Sequence, residues 1–225
     1  MLTSFSLNFY SRLQHIFRKK MNSKLISGLL FSACALTATS ASAASITYDV
    51  RSIVTPFYSD FLAGWNAQSS SITSNGLPSF AAVDGPDSSY NHLKVNFSVS
   101  ADNAGESLVF QLAPDAGMGG ALYVDGILVD VDTTDLWWNG SWSNVSDLLV
   151  TNIANLTEGS HVIEAYWAEI CCSGNQSARI STDGGQSYQV LSVSNLNALA
   201  VPEPASLALV GLGMLGLAVR RRTHS

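Results

Sequence analysis

The fold is decided by the stretch Ala121-Leu122-Tyr123-Val124-Asp125-Gly126-Ile127-Leu128-Val129-Asp130-Val131. Two runs rich in apolar and β-branched residues flank Asp125-Gly126, a pair that is favoured where a tight turn needs positive φ. The stretch therefore predicts a β-hairpin with a short turn. Because a lone hairpin is marginal in water, the neighbouring sequence must supply further strands.

Further strands are indicated on both sides of the hairpin. Leu93–Val99 alternates apolar and polar residues, which places one face on a core and the other in water. Similar short runs are Ser107–Leu112, Leu148–Ile153, His161–Ala168, Ser177–Thr182 and Tyr188–Val193, and Ile46–Val50 is expected to pair at an edge. Glycine, asparagine and aspartate separate these runs, so the sequence predicts an all-β fold, an antiparallel sandwich of seven or eight strands.

The segment 56–91 is less regular than the rest of this region. Asn75-Gly76 and Gly85-Pro86 interrupt any long element there. Phe57, Phe61, Leu62 and Trp65 suggest a short helix or loop that caps one end of the sandwich.

Two stretches of this core resemble the PA14-like sandwich family, which includes adhesins and sugar-binding modules. Tyr123–Asp130 resembles the family's central hairpin, and Leu156–Trp167 resembles its turn and following strand. The resemblance implies a jelly-roll sandwich over Leu93–Val193. Family members that bind sugar through calcium hold the ion with two adjacent aspartates, and this sequence contains no Asp-Asp pair.

The C-terminal segment 201–225 has the composition of a sorting signal. Pro202, Glu203 and Pro204 precede the apolar run Ala205–Val219, and three basic residues follow it, Arg220, Arg221 and Arg222. Fifteen residues of helix extend about 22 Å at ~1.5 Å each, slightly short for a bilayer but consistent with a transmembrane segment. The arginines predict a cytoplasmic end. The segment resembles the PEP-CTERM sorting signal, which implies recognition by a membrane protease of the exosortase type; an ordinary C-terminal anchor is the alternative.

The N-terminal segment 1–43 resembles an export signal. Basic residues precede the apolar stretch Leu25–Leu36, and the small residues Ala41–Ala44 predict cleavage after Ala43 or Ala44. Met21 has the composition of the true start, which would leave residues 1–20 outside the protein. The sequence thus predicts an exported domain over 44–200, first anchored in the inner membrane and then surface-associated or extracellular.

The exported domain is strongly acidic. Its 157 residues suit one domain with a sizeable core. Only Arg51, Lys94 and Arg179 oppose sixteen acidic residues, so the net charge is −13. This surface repels nucleic acid and suits divalent cations or polysaccharide, although solubility alone explains it equally well.

A group of aspartates follows the hairpin directly. Asp130, Asp132 and Asp135 could supply three carboxylates to calcium, which takes six to eight oxygen ligands. The loop lacks the glycine and distal glutamate of an EF-hand. An acidic sheet edge that discourages strand pairing is an equal explanation of these residues.

Three of the five tryptophans lie in the loop that follows the aspartates. Trp137, Trp138 and Trp142 are interleaved with Asn139 and Gly140, a composition that suits a saccharide platform, since indole faces can stack on sugar rings. The alternative is that one or two of these rings fill the end of the sandwich. Residues 137 and 138 alternate, so only one is expected to be exposed.

Adjacent cysteines form the remaining unusual feature, Cys171-Cys172-Ser173-Gly174. An oxidising compartment favours a disulfide, and the notable possibility is a bond between Cys171 and Cys172 themselves, which requires a distorted turn. Intermolecular disulfides and binding of copper(I) are the alternatives. The motif resembles the CCXG group of PEP-CTERM proteins.

Catalysis has little support in the sequence, and the domain is not expected to be an enzyme. His161 begins an amphipathic strand, and His92 lacks a nucleophile motif nearby. Glu164 and Glu169 would lie about 17 Å apart on opposite faces of one strand. The sequence predicts a surface protein that binds exopolysaccharide or matrix components; a matrix protein cross-linked through its cysteines is the second hypothesis, and a glycoside hydrolase is a weak third.

Overall fold

Thirteen strands and two α-helices build the part of the chain that the computed structural model describes, residues 43–54, 60–69, 73–172 and 174–200. The strands are β1 Ser45–Ser52, β2 Thr73–Leu77, β3 Val83–Asp84, β4 Ser89–Val99, β5 Leu108–Ala113, β6 Asp115–Ala116, β7 Gly120–Val124, β8 Ile127–Asp132, β9 Leu136–Trp137, β10 Leu149–Ile153, β11 Gly159–Glu169, β12 Asn175–Ser181 and β13 Gln189–Val190. The helices are α1 Phe61–Ala67 and α2 Val193–Ala200. Every strand pairing among the described residues is antiparallel, so the all-β fold class is confirmed.

Two main sheets form the sandwich. The first has the order β2-β1-β4-β11-β7-β8, and the second has the order β10-β5-β12-β13 with β3 also paired to β12. Strands β6 and β9 form a separate two-stranded sheet. The long strands β4 and β11 pair over eleven residues at the centre of the first sheet.

The hairpin predicted from Asp125-Gly126 forms between β7 and β8. Val124 pairs with Ile127, which leaves a two-residue loop, and both Asp125 and Gly126 have positive φ, 49° and 79°. That conformation is the one a tight hairpin turn demands. The turn is tied to β11, because the Asp125 carboxylate accepts hydrogen bonds from the backbone N–H of Val162 at 2.8 Å and from His161 Nδ1 at 2.9 Å.

His161 has an acceptor at each ring nitrogen. Its Nε2 lies 2.9 Å from the Thr157 carbonyl, opposite the contact with Asp125. Burial alone would lower the pKa of this imidazole, but the Thr157 carbonyl and the Asp125 carboxylate outweigh burial and raise it. A protonated ring can donate to both neighbours, so His161 has the structural role expected for the start of a strand.

The hydrophobic core lies between the two main sheets. Its largest member is Trp167, which is fully buried and stacks on Tyr48 at 6.0 Å with Phe80 at its edge. Alternation along each strand sends one set of side chains into this core. They include Ile46, Leu93, Val95, Phe97, Leu108, Phe110, Leu112, Leu122, Leu149, Ile163 and Ile180.

Helix α1 covers part of the outer face of the first sheet. Its Phe61 and Trp65 pack with Tyr90 and Tyr166 in a second buried cluster. The sequence indicated a helix or loop here, and Asp60 begins it by accepting a hydrogen bond from Ala63 N at 2.9 Å.

Three details differ from the sequence-based interpretation. Strand β1 is not an edge, because β2 pairs along its other side; the Asn75-Gly76 pair, interpreted as a breaker, lies inside β2. The residues after β13 form helix α2, which the strand pattern did not indicate.

No helix among the described residues is long and apolar enough to span a membrane. The predicted signal segment before residue 43 and the sorting segment 201–225 lie outside the described residues.

Candidate functional site

A cavity of about 370 Å³ opens where the loop after β11 approaches the small sheet of β6 and β9. We call it the acidic pocket, because three carboxylate side chains line it beside two thiols, an indole and one aliphatic side chain. The lining residues are Asp115, Gly117, Asp135, Trp137, Glu169, Ile170, Cys171 and Cys172.

The small sheet places Asp115 beside Trp137. These two residues are direct partners in the β6–β9 register, and directly opposed residues project from the same face of an antiparallel pair. Their neighbours Ala116 and Leu136 are fully buried. Leu136 and Ala116 thus anchor the pair in the core, while the Trp137 side chain remains 63% exposed.

Glu169 fixes the walls of the acidic pocket. One of its carboxylate oxygens accepts a hydrogen bond from the backbone N–H of Gly117 at 2.6 Å, and the other accepts from Cys171 N at 2.7 Å. Only 4% of the residue is exposed. Because hydrogen bonds to a charged acceptor are strong, this side chain holds the cysteine loop against the turn after β6.

Asp115 carries a negative charge that the protein does not fully compensate. The residue is 5% exposed, and its Oδ2 has no hydrogen-bond partner among the described residues. Burial, followed by the charge of Glu169, raises the pKa of Asp115 to about 6, with smaller contributions from Asp135 and Asp87. The nearby backbone N–H of Gly174 opposes this shift only in part.

The two cysteines lie at the rim of the pocket as exposed free thiols, with their Sγ atoms 2.7 Å apart. Cys172 has φ +69°, the left-handed conformation that turns the chain back toward β12. Hydrogen bonding and charge interaction with Cys172 raise the pKa of Cys171 to about 11. The thiol is therefore protonated at neutral pH. The predicted disulfide stays a prediction.

The three tryptophans of the predicted platform separate in the structure. Trp137 lines the acidic pocket, whereas Trp138 and Trp142 are half-buried and contact each other with ring centroids 5.0 Å apart. The Arg179 guanidinium lies 4.3 Å above the Trp142 ring and 3.9 Å from the Tyr188 ring. Asn139 is exposed in the connecting loop. Of the three rings, Trp137 is the one that the described structure places at a cavity.

The three aspartates of the predicted calcium site do not come together. Asp130 accepts a hydrogen bond from the backbone of Val150 at 2.7 Å, and Asp132 accepts from the backbone of Thr134 at 2.7 Å. Asp135 lines the acidic pocket. Within the described ranges, no group of three or more His, Cys, Asp and Glu side chains is arranged to hold a metal ion. Backbone N–H groups thus occupy one oxygen each of Asp130 and Asp132, and calcium binding by these residues stays a prediction.

Sequence reasoning missed Asp115 and Glu169 as members of the site. Asp115 sits in a two-residue strand, and Glu169 was considered only as a partner of Glu164, from which it is separated. Glu164 contacts His92 and Lys94 on the outer face of the first sheet. A carboxylate at the end of the apolar strand β11, two residues before the cysteine pair, was the available signal.

Comparison with known proteins identifies the C-terminal segment. The family model for the PEP-CTERM protein-sorting motif matches residues 200–222, so the motif predicted at Pro202, Glu203 and Pro204 is confirmed. This motif implies export, sorting to the cell surface and processing by an exosortase. No curated protein sequence matches the chain.

Several solved structures are similar to the chain at low sequence identity. The PA14 domain of the antifreeze protein MpAFP is 15% identical with a TM-score of 0.46, covering 70% of this chain and 92% of that one. An anti-sigma factor domain-containing protein is 14% identical with a TM-score of 0.45, covering 67% of this chain and 47% of that one. The Epithelial Adhesin 9 A domain from Candida glabrata, in complex with Galb1-4GlcNAc, is 6% identical with a TM-score of 0.41, covering 65% and 86%.

The chain covers different shares of the matched structures, 92% of the first and 47% of the second. The first named neighbour belongs to the PA14 family that the sequence resembles, and the chain spans about half the length of the second. TM-scores below 0.5 do not carry an argument about function, so the antiparallel sandwich rests on the strand pairing described above.

Proposed function

We propose that the exported domain binds extracellular polysaccharide or related matrix components through the acidic pocket. The observation that carries this proposal is the pairing of an exposed indole, Trp137, with Asp115, whose Oδ2 has no hydrogen-bond partner among the described residues, on one face of the β6–β9 sheet. An exposed indole offers an apolar face to the C–H side of a sugar ring, and carboxylates accept hydrogen bonds from its hydroxyls. Concave sites with a few fixed polar groups are typical of small-ligand binding.

The cysteine loop suits the same role. Ile170 is 50% exposed beside the two thiols, so the rim opposite Trp137 is also partly apolar. We propose that Cys171 and Cys172 join in a vicinal disulfide once the protein reaches an oxidising compartment. The closed loop would make this rim rigid.

The binding proposal is tested with the protein recovered after export from its producing cells, in affinity measurements against the polysaccharide of those cells. We expect Trp137→Ala to weaken binding at least tenfold, a loss of ~1.4 kcal/mol. Trp142→Ala is the matched control, because this ring packs on Trp138 and Arg179 away from the pocket. Equal binding by wild type and Trp137→Ala would contradict the proposal.

A second function is favoured by the exposure of both thiols. Cys171 and Cys172 at a surface can form intermolecular disulfides and cross-link the protein into a matrix without recognising sugar. Disulfide-linked ladders on a non-reducing gel, lost in the Cys171→Ser, Cys172→Ser double variant, would support this function. A single band, together with a mass two hydrogens below that of the reduced protein, would instead support the vicinal bond.

We propose that the domain binds without catalysing a reaction. Asp115 is the residue that would contradict this, because a carboxyl with a raised pKa beside other carboxylates suits a general acid in glycoside hydrolysis. Incubation with the same polysaccharide should release no reducing ends. Release that disappears in Asp115→Asn would establish a hydrolase.

We further propose that the apolar run Ala205–Val219 holds the protein in the inner membrane until the exosortase acts. The support is its sequence, with the arginines that follow it. Intact mass of the protein recovered under thiol-blocking conditions tests this by reporting both termini. A mass that retains the whole tail would contradict processing.

A further inference from the structure

The acidic pocket gathers negative charge without a cation from the domain. Asp87, Asp135 and Glu169 all interact electrostatically with Asp115 and raise its pKa. The segment 44–200 contains only three basic residues, and each contacts another part of the molecule. Arg51 lies over Trp65, Lys94 contacts Glu164, and Arg179 contacts Gln111.

The Oδ2 atom of Asp115 is a buried acceptor in the wall of the acidic pocket. Oδ2 is inaccessible to solvent in the described structure and has no hydrogen-bond partner there, although the side chain lines the cavity. Gly174 packs so closely that an added Cβ would lie 3.0 Å from Oδ2. A buried acceptor without a partner is costly. The Asp115 side chain forms part of the cavity wall, so a positively charged donor seated in the cavity would interact favourably with its carboxylate.

Trp137 makes a positively charged donor more favourable than a neutral one. Its exposed ring lies on the same face as the Asp115 side chain. The face of an indole attracts cations, and an ammonium between an indole and a carboxylate gains from both. The same ring can cover the apolar face of the sugar that carries the ammonium.

An organic cation fits the pocket better than a metal ion. The described residues contain no metal-binding group of three His, Cys, Asp or Glu side chains. Both oxygens of Glu169 already accept backbone hydrogen bonds, and hydrogen bonding keeps the Cys171 thiol protonated. An ammonium group has three directed donors and needs separate acceptors, whereas calcium requires six to eight converging oxygens.

We propose that the acidic pocket selects saccharides that carry a free, protonated amino group, with Asp115 as the acceptor and Trp137 as the stacking surface. This inference rests on the proposed function and names the ligand class for the same site. Asp135 at the mouth adds to the attraction, and Glu169 positions the loops.

The test compares a glucosamine oligomer with the same oligomer fully N-acetylated, because acetylation removes the charge with little change in the sugar ring. We expect the exported wild-type protein to bind the free amine at least tenfold more tightly. Asp115→Asn should bring the two affinities within about twofold, since the amide is nearly isosteric but uncharged. Circular dichroism confirms that the variant is folded.

Asp102→Asn is the matched control for the overall charge. Asp102 is exposed in the short helix Ala101–Asn103, and its replacement changes the net charge by the same amount. It should leave the preference intact. If Asp102→Asn reduced the preference as much as Asp115→Asn, nonspecific attraction would explain it and the inference would fail.

The remaining outcomes distinguish failure of amine selection from failure of saccharide binding. Equal binding of both oligomers, or a requirement for added calcium, would overturn amine selection while leaving saccharide binding in place. Binding of neither oligomer would also overturn amine selection. The proposed function is then decided by the host polysaccharide, where loss of binding in Trp137→Ala supports it and no binding by the wild type contradicts it.

Discussion

Two regions of this protein each combine an indole with several carboxylates, and they differ in how those carboxylates are paired. On the outer face of the first sheet, Glu164 accepts hydrogen bonds from His92 and Tyr166 and lies 3.6 Å from Lys94. In the acidic pocket, the Asp115 carboxylate has an oxygen without any partner, beside the exposed Trp137.

The aromatic rings of the outer-face cluster are buried, whereas the Trp137 ring in the acidic pocket is mostly exposed. On the outer face, Tyr166 stacks on His92 at 4.4 Å, and Trp65 covers the imidazole from helix α1. Asp49 keeps one unpartnered oxygen there, but its other oxygen lies 3.7 Å from the same imidazole. The outer-face cluster has internal partners for its charges, which is the signature of a structural element.

These two regions show how a binding site can be distinguished from a structural cluster when both contain tryptophan and carboxylates. Composition does not separate them, because each has an indole and several acidic groups. The distinction lies in the uncompensated charge. The outer-face cluster contains a cation, Lys94, beside its carboxylate Glu164, whereas the described lining of the acidic pocket contains none, so a ligand that supplies a cation gains there.

The largest expected effect is on stability, and it concerns the outer-face cluster. Tyr166→Ala removes a buried ring that contacts His92, Trp65 and Tyr123, so we expect it to lower the free energy of unfolding by ~3–5 kcal/mol. Trp137→Ala removes a ring that is mostly in solvent and should change stability by less than ~0.5 kcal/mol. Urea denaturation of both variants measures the difference. Equal destabilisation would show that Trp137 is a core residue and that the acidic pocket is a structural cluster like the outer face.

A smaller effect is expected from the buried charge of Asp115. Its pKa rises from the ordinary 3.8 to about 6 in the folded protein, so the folded state binds more protons than the unfolded state between these values. Stability conferred by Asp115 is therefore present at low pH and is lost as the pH rises from about 4 to about 6. One pKa unit corresponds to ~1.4 kcal/mol, and water in the pocket reduces the effect, which we place at about 1–2 kcal/mol.

Asp115→Asn tests this directly, because the amide does not titrate. Above pH 6 the variant should be more stable than the wild type by about 1–2 kcal/mol, and at pH 4 the difference should shrink. Urea denaturation at both pH values gives the comparison. A constant difference between the two proteins across this range would mean that Asp115 has an ordinary pKa.

A third effect, of similar size and with the same direction in pH, concerns His161. Its pKa is raised in the fold, so the stability it confers is present below its ordinary value of about 6.5 and is lost as the pH rises through the folded value. His161→Gln should cost about 1 kcal/mol at pH 5.5 and less at pH 8.5. An equal cost at both values would show that the neutral ring makes the same contacts with Asp125 and Thr157.

The fold was largely predictable because its signals are local. Alternation identified β4 and β11, and Asp125-Gly126 located the β7–β8 turn to the residue. Helix α2 was missed because it has only eight residues, too few for the three-residue spacing of Val193, Leu196 and Leu199 to stand out after a series of strands. Strand β2 was missed because the sheet tolerates Asn75-Gly76 where a neighbouring strand, β1, supplies the pairing.

The site was less predictable because it depends on long-range pairing. Trp137 and the cysteines were recognised from composition, but Asp115 reaches Trp137 only through the β6–β9 register, and Glu169 reaches Gly117 across a sequence separation of 52 residues. The separate positions of Trp137 and Trp142 also depend on the fold, because Arg179 on β12 packs against the Trp142 ring. No local pattern encodes which carboxylate remains unpaired.

The smallest expected effect sharpens the comparison through the pKa values themselves. Asp135 is exposed at the mouth of the acidic pocket, and its negative charge contributes to the raised pKa of Asp115. Asp135→Asn should therefore lower the pKa of Asp115 by a fraction of a unit while changing stability by less than ~0.5 kcal/mol. Carboxyl carbon chemical shifts followed by NMR against pH measure it.

The matching change in the outer-face cluster should act on the imidazole of His92. Asp49 favours the charged form of His92, so Asp49→Asn should lower the pKa of His92 further below its ordinary value. The pocket variant thus makes a carboxylate easier to ionise, and the outer-face variant makes an imidazole harder to protonate. If Asp135→Asn left the pKa of Asp115 unchanged, the pocket carboxylates would not share one field, and selection of a cationic ligand would have to rest on Asp115 alone.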